Sequence, residues 1–313
     1  MGNAVTEVLI ITNPAAARAA GRGLAAARRL LEGAGYRVAV ATSTATGQGE
    51  QLARAAAAGG VDVVIAHGGD GTVMDVATGL LGSGRPLGVL PGGTGNVLAG
   101  SLAVGRSCAA AAGTILRGVT RTIDLGRLTT ASGSRYFAVN CAAGFAARLM
   151  AETTQHHKRR FGMAAYLVRA MVMTTDMVRA LIRVEVDGTA HEGRAVTVIV
   201  ANCGHIIPGV LPLAHDIRPD DGLLDVAVLD ADSVPGALRL VWRLLQRRPD
   251  ADPGIVFHRG RQVRVTCEPA LMVQADGETL GTTPMSVELV PRALAVFAPA
   301  ARPQPAAGGR DDA

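Results

Sequence analysis

Two short glycine-rich runs, each placed directly after an apolar strand-like segment, are the residues of this chain best suited to hold a phosphate. Gly68-Gly69-Asp70-Gly71-Thr72 follows the run Val61 to His67 and leads into a helical pattern from Val73 to Leu81. Glycines let the backbone turn sharply and approach a bulky anion, and a following helix offers free N–H groups at its positive end. Pro91-Gly92-Gly93-Thr94-Gly95-Asn96 repeats the arrangement after Pro86 to Leu90. Here Thr94 and Asn96 add side-chain donors for phosphate or ribose oxygens. An aspartate inside such a loop repels phosphate unless a metal or a proton intervenes, which marks Asp70 for chemistry. A glycine-rich βα turn with Asp70 helping to cap the helix explains one loop. Two loops on neighbouring strands make a polar crevice, and Asn13-Pro14 after the first strand would line its rim.

Familiar nucleotide signatures do not account for these runs. A P-loop needs a lysine, and the sole lysine, Lys158, has no such surroundings. Gly21-Arg22-Gly23-Leu24-Ala25-Ala26 fits G-x-G-x-x-A but lies several residues past its strand, inside a helical pattern.

The elements that must position the loops read as two regions. Strands over Val8 to Thr12, Tyr36 to Thr42, Val61 to His67 and Pro86 to Leu90 alternate with helix-favouring stretches such as Arg18 to Gly33 and Gly49 to Ala58. That alternation predicts βα units around a parallel sheet, with ligands beyond the carboxyl ends of the strands. From about Arg121 the texture changes to turn-linked strands: Tyr136 to Cys141, Leu181 to Val186, Ala195 to Ala201, Leu223 to Leu229, Val263 to Cys267, Leu271 to Ala275 and Ser286 to Val290. Helices are expected over Gly162 to Arg179 and Pro235 to Arg247. The expectation is an α/β nucleotide-binding domain over 1–125, a mainly antiparallel β-sandwich domain over 126–297, and a disordered tail from Ala298.

Composition narrows the classes. The chain has 313 residues, 49% apolar and 18% charged, which excludes a disordered chain. Its formal charge of +5 comes from scattered arginines, and 3% aromatics leaves little for base stacking, so no nucleic-acid partner is expected. The cluster His156 to Arg160 is the one basic run, suited to anionic headgroups or to a solvated helix end. Four methionines from Met163 to Met177 suit an acyl pocket or plain core. Cys108, Cys141, Cys203 and Cys267 lie far apart without metal spacing, and no apolar run spans a bilayer. A reduced, cytoplasmic protein follows as the expectation.

The two loops, with Asn13-Pro14 upstream, resemble the catalytic domain of the diacylglycerol kinase and sphingosine kinase family of lipid kinases. The resemblance runs from about Val8 to Pro299 and includes Lys158-Arg159-Arg160-Phe161-Gly162 followed by Tyr166, Asp220 to Val226, and Gln274-Ala275-Asp276-Gly277-Glu278. It implies ATP-dependent phosphorylation of a lipid hydroxyl in a cleft between the two domains. Nucleotide contacts carry over to Gly69, Asp70, Gly71, Thr72, Val73, Met74, Asp75, Gly93 and Thr94, with a hydroxyl at the end of the second strand. For that hydroxyl Thr42 is taken, with Ser43 and Thr44 as alternatives. Met74-Asp75 stands where Asn-Glu is common, and Val97 where many members have Asp. Glu278 inherits the general-base role, although Asp-Gly is also the commonest hairpin signal. Asp70 would organise the metal or the acceptor. Arg218, Asp221 and Leu223 resemble the family's magnesium loop, an acidic turn by composition alone, while a separate Mg²⁺ accompanies ATP. The implied setting is a peripheral enzyme at the inner face of the membrane, with a homodimer as its candidate assembly. The alternatives are a kinase of a soluble acceptor such as NAD, since loop one also suits NAD kinases and phosphofructokinases, and a non-catalytic nucleotide or lipid sensor.

Overall fold

The computed structural model describes residues 6–14, 21–45, 47–152, 177–207, 211–214, 216–246 and 252–300. In the first region β1 (Glu7–Thr12), α1 (Gly21–Gly33), β2 (Arg37–Thr42), α2 (Gln48–Ala58), β3 (Val63–Gly68), α3 (Asp70–Leu80) and β4 (Leu87–Pro91) alternate, followed by α4 (Val97–Ser101) and α5 (Cys108–Leu116). The strands lie parallel in the order β2-β1-β3-β4. Every residue of β3 is buried, because helices cover both faces of the sheet. Ile11, Val64 and Val89 pack with Ala53, Val73 and Leu80 on one side. On the other side Ile10, Ile65 and Leu90 meet Leu31, Ala111 and Ile115. The carboxyl ends of β3 and β4 are thereby fixed side by side, and the two glycine loops start there.

The second region comprises β5 (Thr120–Thr130), β6 (Gly133–Phe137), β7 (Asn140–Gly144), α6 (Phe145–Glu152), β8 (Ala180–Val186), β9 (Thr189–Ala195), β10 (Thr197–Ala201), β11 (His205–Ile207), β12 (Leu211–Pro212), β13 (Leu224–Leu229), α7 (Val234–Leu245), β14 (Ile255–Gly260), β15 (Gln262–Glu268), β16 (Met272–Ala275), β17 (Glu278–Thr282) and β18 (Met285–Phe297). An antiparallel sheet in the order β14-β13-β10-β7-β16-β17 packs on the layer that contains β5, β8, β15 and β18. Between them Val198, Val200, Val226 and Val273 meet Val184, Val263, Val265 and Val287 in a dry sandwich core. On the outer face of the second sheet Ile199 and Leu229 are covered by Leu213, Ile217, Leu240 and Leu244.

Several strands differ from expectation. The run Tyr136 to Cys141 divides into β6 and β7, which belong to different sheets. The backbone N–H groups of Ala138, Val139 and Asn140 donate to the Asp276 carboxylate at 2.8, 3.1 and 3.0 Å, where a continuous strand would use ladder carbonyls. β9 is an exposed edge strand with no apolar alternation, so its sequence carries no strand signal. β5, β14 and β17 were also not expected. β18 runs on past the predicted Val290 through a register shift between Val290 and Leu294, where Arg292 takes φ 50°. It pairs with β5 along its length and reaches β4 through Val296 opposite Leu87. The first sheet is therefore continuous between the two regions, and residue 125 lies within β5. Of the helix expected over Gly162 to Arg179 only 177–179 are described, and these are not helical. The cluster His156 to Arg160, Phe161, Gly162, Met163, Tyr166 and the tail from residue 301 lie outside the described residues.

Candidate active site

The two loops meet backbone to backbone. Gly68 pairs with Pro91 at the ends of β3 and β4, and the Gly92 N–H donates to the Gly68 carbonyl at 2.8 Å. A Cβ on Gly93 would stand 2.5 Å from Gly69 Cα, and one on Gly92 3.2 Å from Gly68 Cα. Both neighbours are backbone, so Gly93 is sterically required and Gly92 sits in a tight contact. Asn96, at φ 54°, closes the second loop on itself: its Oδ1 accepts the Gly93 N–H at 3.0 Å and its Nδ2 donates to the Gly93 carbonyl at 2.7 Å. Asn96 is thus a staple of the loop, where the sequence suggested a donor to the ligand. Thr94 sits exposed at the tip. Gly93→Ala forces one loop off the other, at a cost of about 1–3 kcal/mol. We expect a lower melting temperature and at least about tenfold weaker nucleotide binding by calorimetry. Gly193→Ala, on an exposed strand and with nothing within 4 Å of its Cβ, leaves nucleotide binding unchanged.

Helix α3 begins inside the first loop. Gly69 is its extended N-cap, and the Val73 N–H already donates to the Gly69 carbonyl at 3.1 Å. The N–H groups of Gly71 and Thr72 precede that bond and face the loop opening, as an anion site needs. Val73 and Met74 were also expected as nucleotide contacts. Their side chains are buried in the core beneath α3, and the Val73 N–H is committed to the helix. Thr72 is also buried, packed back on Gly68. Beneath the loops His67 is buried, with Nδ1 2.8 Å from the Thr12 hydroxyl, and burial holds its pKa below the usual imidazole value.

The acidic residues divide by role. The Asp70 carboxylate turns toward α4 and receives the backbone N–H groups of Asn96, Val97 and Leu98, the last at 3.3 Å. Burial raises its pKa, and those N–H groups oppose the rise. Asp70 therefore ties loop one to loop two through a helix N-terminus. Asp75 lies one turn further along α3, half-buried. Burial raises its pKa and the Glu278 charge adds to the rise, while Arg135 opposes both.

Glu278 comes from the other region, at the start of β17. Asp276 and Gly277 before it have φ 45° and 88°, the left-handed pair that a tight Asp-Gly hairpin turn requires. The turn is locked from inside by the Asp276 carboxylate on the N–H groups of 138–140, and by the Gly277 N–H donating to Gln274 Oε1 at 2.6 Å. Glu278 projects from this fixed tip over the first loop, its Oε1 only 3.7 Å from where a Gly71 Cβ would be. Arg135 of β6 holds it at 2.7 Å and stands 4.0 Å from Asp75. Sequence reasoning missed Arg135, because a lone arginine in a turn-rich run carries no local signal. A cleft of about 820 Å³ opens beside the second loop, lined by Thr94, Asn96, Ser101, Arg106 and His205. Glu278 is not among its walls and stands instead at the α3 side.

Thr42 is exposed at the end of the edge strand β2, with β1 between it and β3, whereas Ser43 beside it is buried. The Thr44 hydroxyl lies 3.4 Å from Gln48 Oε1 at the start of α2. At the expected magnesium loop the Asp221 carboxylate has partners within the protein. Asp221 Oδ1 accepts the Leu223 N–H at 3.1 Å, and its Oδ2 accepts from the Arg259 guanidinium at 3.1 Å. Arg259 also binds Asp225 at 2.8 Å. The Arg259 guanidinium thus stands beside the carboxylate that, with Arg218 and Leu223, was expected to hold magnesium. The buried hub of this region is Asp124, which accepts the Gly222 and Arg292 N–H groups at 2.8 and 2.7 Å and so joins the loop to the bend of β18.

Comparison with known proteins agrees with this architecture. Residues 7–128 match the diacylglycerol kinase catalytic domain, and residues 140–298 match the YegS C-terminal NAD kinase beta sandwich-like domain. A diacylglycerol kinase of Bacillus subtilis is 29% identical over 88% of this chain and 90% of its own length. An uncharacterized protein of Synechocystis sp. is 29% identical over 77% of this chain, but the chain spans only 55% of that relative. Two crystal structures from Bacillus anthracis superpose with TM-scores of 0.78 and 0.74 at 23% and 21% identity, covering 95% of this chain and 99% and 98% of theirs. The second is of a diacylglycerol kinase, and both show the shared fold.

Proposed function

We propose, from the premise that this chain belongs to the diacylglycerol kinase catalytic-domain family, that it transfers the γ-phosphoryl group of MgATP to the hydroxyl of a lipid such as diacylglycerol or a sphingoid base. The observation that carries this reading is Glu278 standing over Gly71 at the mouth of the first loop. The N–H groups of Gly71 and Thr72, with the second loop alongside, are suited to hold the polyphosphate. Glu278, whose side chain is 45% exposed, is open to an incoming hydroxyl. As the acceptor oxygen bonds to the γ-phosphorus and the bond to the β-phosphate oxygen breaks, Glu278 takes the hydroxyl proton and ADP leaves. Arg135 sets the direction of that carboxylate, and the turn behind Asp276 sets its height.

No helix among the described residues is long and apolar enough to cross a membrane. The enzyme would meet its lipid from the cytoplasmic side, at the inner face of the membrane. The test is incubation of the purified protein with MgATP and a total lipid extract, followed by mass spectrometry of the products. We expect one lipid class to gain a phosphoryl group. A folded, nucleotide-binding protein that phosphorylates no lipid, or that phosphorylates NAD in competition with lipids, overturns the proposal.

A further inference from the structure

Helix α7 is apolar on two opposite sides. Leu240 and Leu244 are buried, 5% and 3% exposed, against the outer face of the second sheet. Leu238, Trp242 and Leu245 are 47%, 60% and 42% exposed. At roughly 100° per residue these three and the half-buried Val241 fall within about 100° of the helix circumference. A helix that serves only as a cover for a sheet has no use for a second apolar stripe, and grouped exposure of this kind marks a contact surface.

Charge selects the occupant. From Val234 to Arg248 the sequence has no acidic residue and carries Arg239, Arg243, Arg247 and Arg248, the last two outside the described residues. Arg239 is held at 2.9 Å by Asp252, beside the apolar stripe. Leucines and a tryptophan on one side with Arg243 at the flank, in a stretch of sequence with a basic excess, match the headgroup boundary of an anionic bilayer, where indole rings settle and guanidinium groups meet phosphates. We propose that α7 docks this chain on anionic lipid surfaces through Leu238, Trp242 and Leu245. α6 covers the same sheet further along, against β16 and β17, the strand that begins with Glu278. The use of such docking rests on the lipid-kinase reading, but its test does not.

Trp242 is the only tryptophan in the chain, so its emission reports this surface alone. The full-length protein is titrated with vesicles of phosphatidylcholine, and with vesicles of phosphatidylcholine and phosphatidylglycerol, while emission and co-sedimentation are followed. We expect a blue shift with the anionic vesicles only, weakening as salt is raised. The double variant Leu238→Ser/Leu245→Ser should lose at least about tenfold in vesicle partitioning, since both residues would otherwise leave water on docking. Its transfer to a detergent-dispersed lipid should stay at the parent rate. Co-sedimentation with unchanged emission, no binding to either vesicle, or a shift that follows protein concentration without lipid overturns the proposal, the last identifying a second copy as occupant. Failure of the kinase reading shows separately, as absent transfer in detergent.

Discussion

We expect Glu278→Gln to lower kcat by about two to four powers of ten while nucleotide affinity stays at the parent value. General-base catalysis by a positioned carboxylate is worth that range, and the amide is nearly isosteric but cannot accept the acceptor's proton. The amide oxygen still accepts from Arg135, which lies 2.7 Å from the carboxylate in the parent. The loss of charge in a pair that is 26% and 45% exposed costs at most about 1 kcal/mol of stability, and less once solvent screening is counted. Thermal melts of the variant should therefore overlay the parent's. Single-turnover kinetics with saturating MgATP, together with calorimetric nucleotide binding, separate the two quantities. An unchanged rate removes Glu278 from the chemistry, and a loss confined to binding makes it a nucleotide contact.

The second large effect concerns stability. Asp276→Ala leaves the N–H groups of Ala138, Val139 and Asn140 without their acceptor, a loss of about 4 kcal/mol at pH 5. Asp276 as a residue is half-exposed at its hairpin tip, but its carboxylate is turned inward onto those groups. Burial, with the Asp70 charge adding to it, raises its pKa from 3.8 to about 7, against the opposing pull of the N–H donors. A raised carboxyl pKa means that the native state keeps a proton which the unfolded chain has released. Its stabilising contribution is fully present below pH 3.8 and is lost as pH rises through about 7. Asp225, raised to about 6 mainly by burial, acts with the same sign, so the comparison must be between variant and parent. Denaturant unfolding at pH 5 and pH 8 should show the alanine penalty shrinking by at least half at the higher pH. A penalty that grows with pH contradicts the assigned shift, and one below about 1 kcal/mol at both values removes the turn lock.

Much of the site was legible because its requirements are local. Gly68-Gly69-Asp70-Gly71 follows a buried apolar strand, and a backbone turn next to a helix start is encoded within about ten residues of chain. The Asp-Gly turn before Glu278 was readable for the same reason: positive φ at both positions selects those residue types. What could not be read is where side chains end. Thr72, Val73 and Met74 belong to the same motif, yet α3 turns all three into the interior, because the sheet beneath it needs an apolar cover. That β14 places Arg259 beside Asp221, across a separation of 38 residues, is likewise not encoded in any local run.

The sequence by itself determined the order of strands and helices in the first region, the two loop positions and the acidic turn, since periodicity and turn chemistry act over short stretches. Tertiary structure alone decided that β18 bends to join β4 as well as β5, that Arg135 bridges Asp75 and Glu278, and that Asp70 caps α4. Those outcomes depend on which distant surfaces are buried together. Burial is a property of the assembled layers, and no local run of residues contains it.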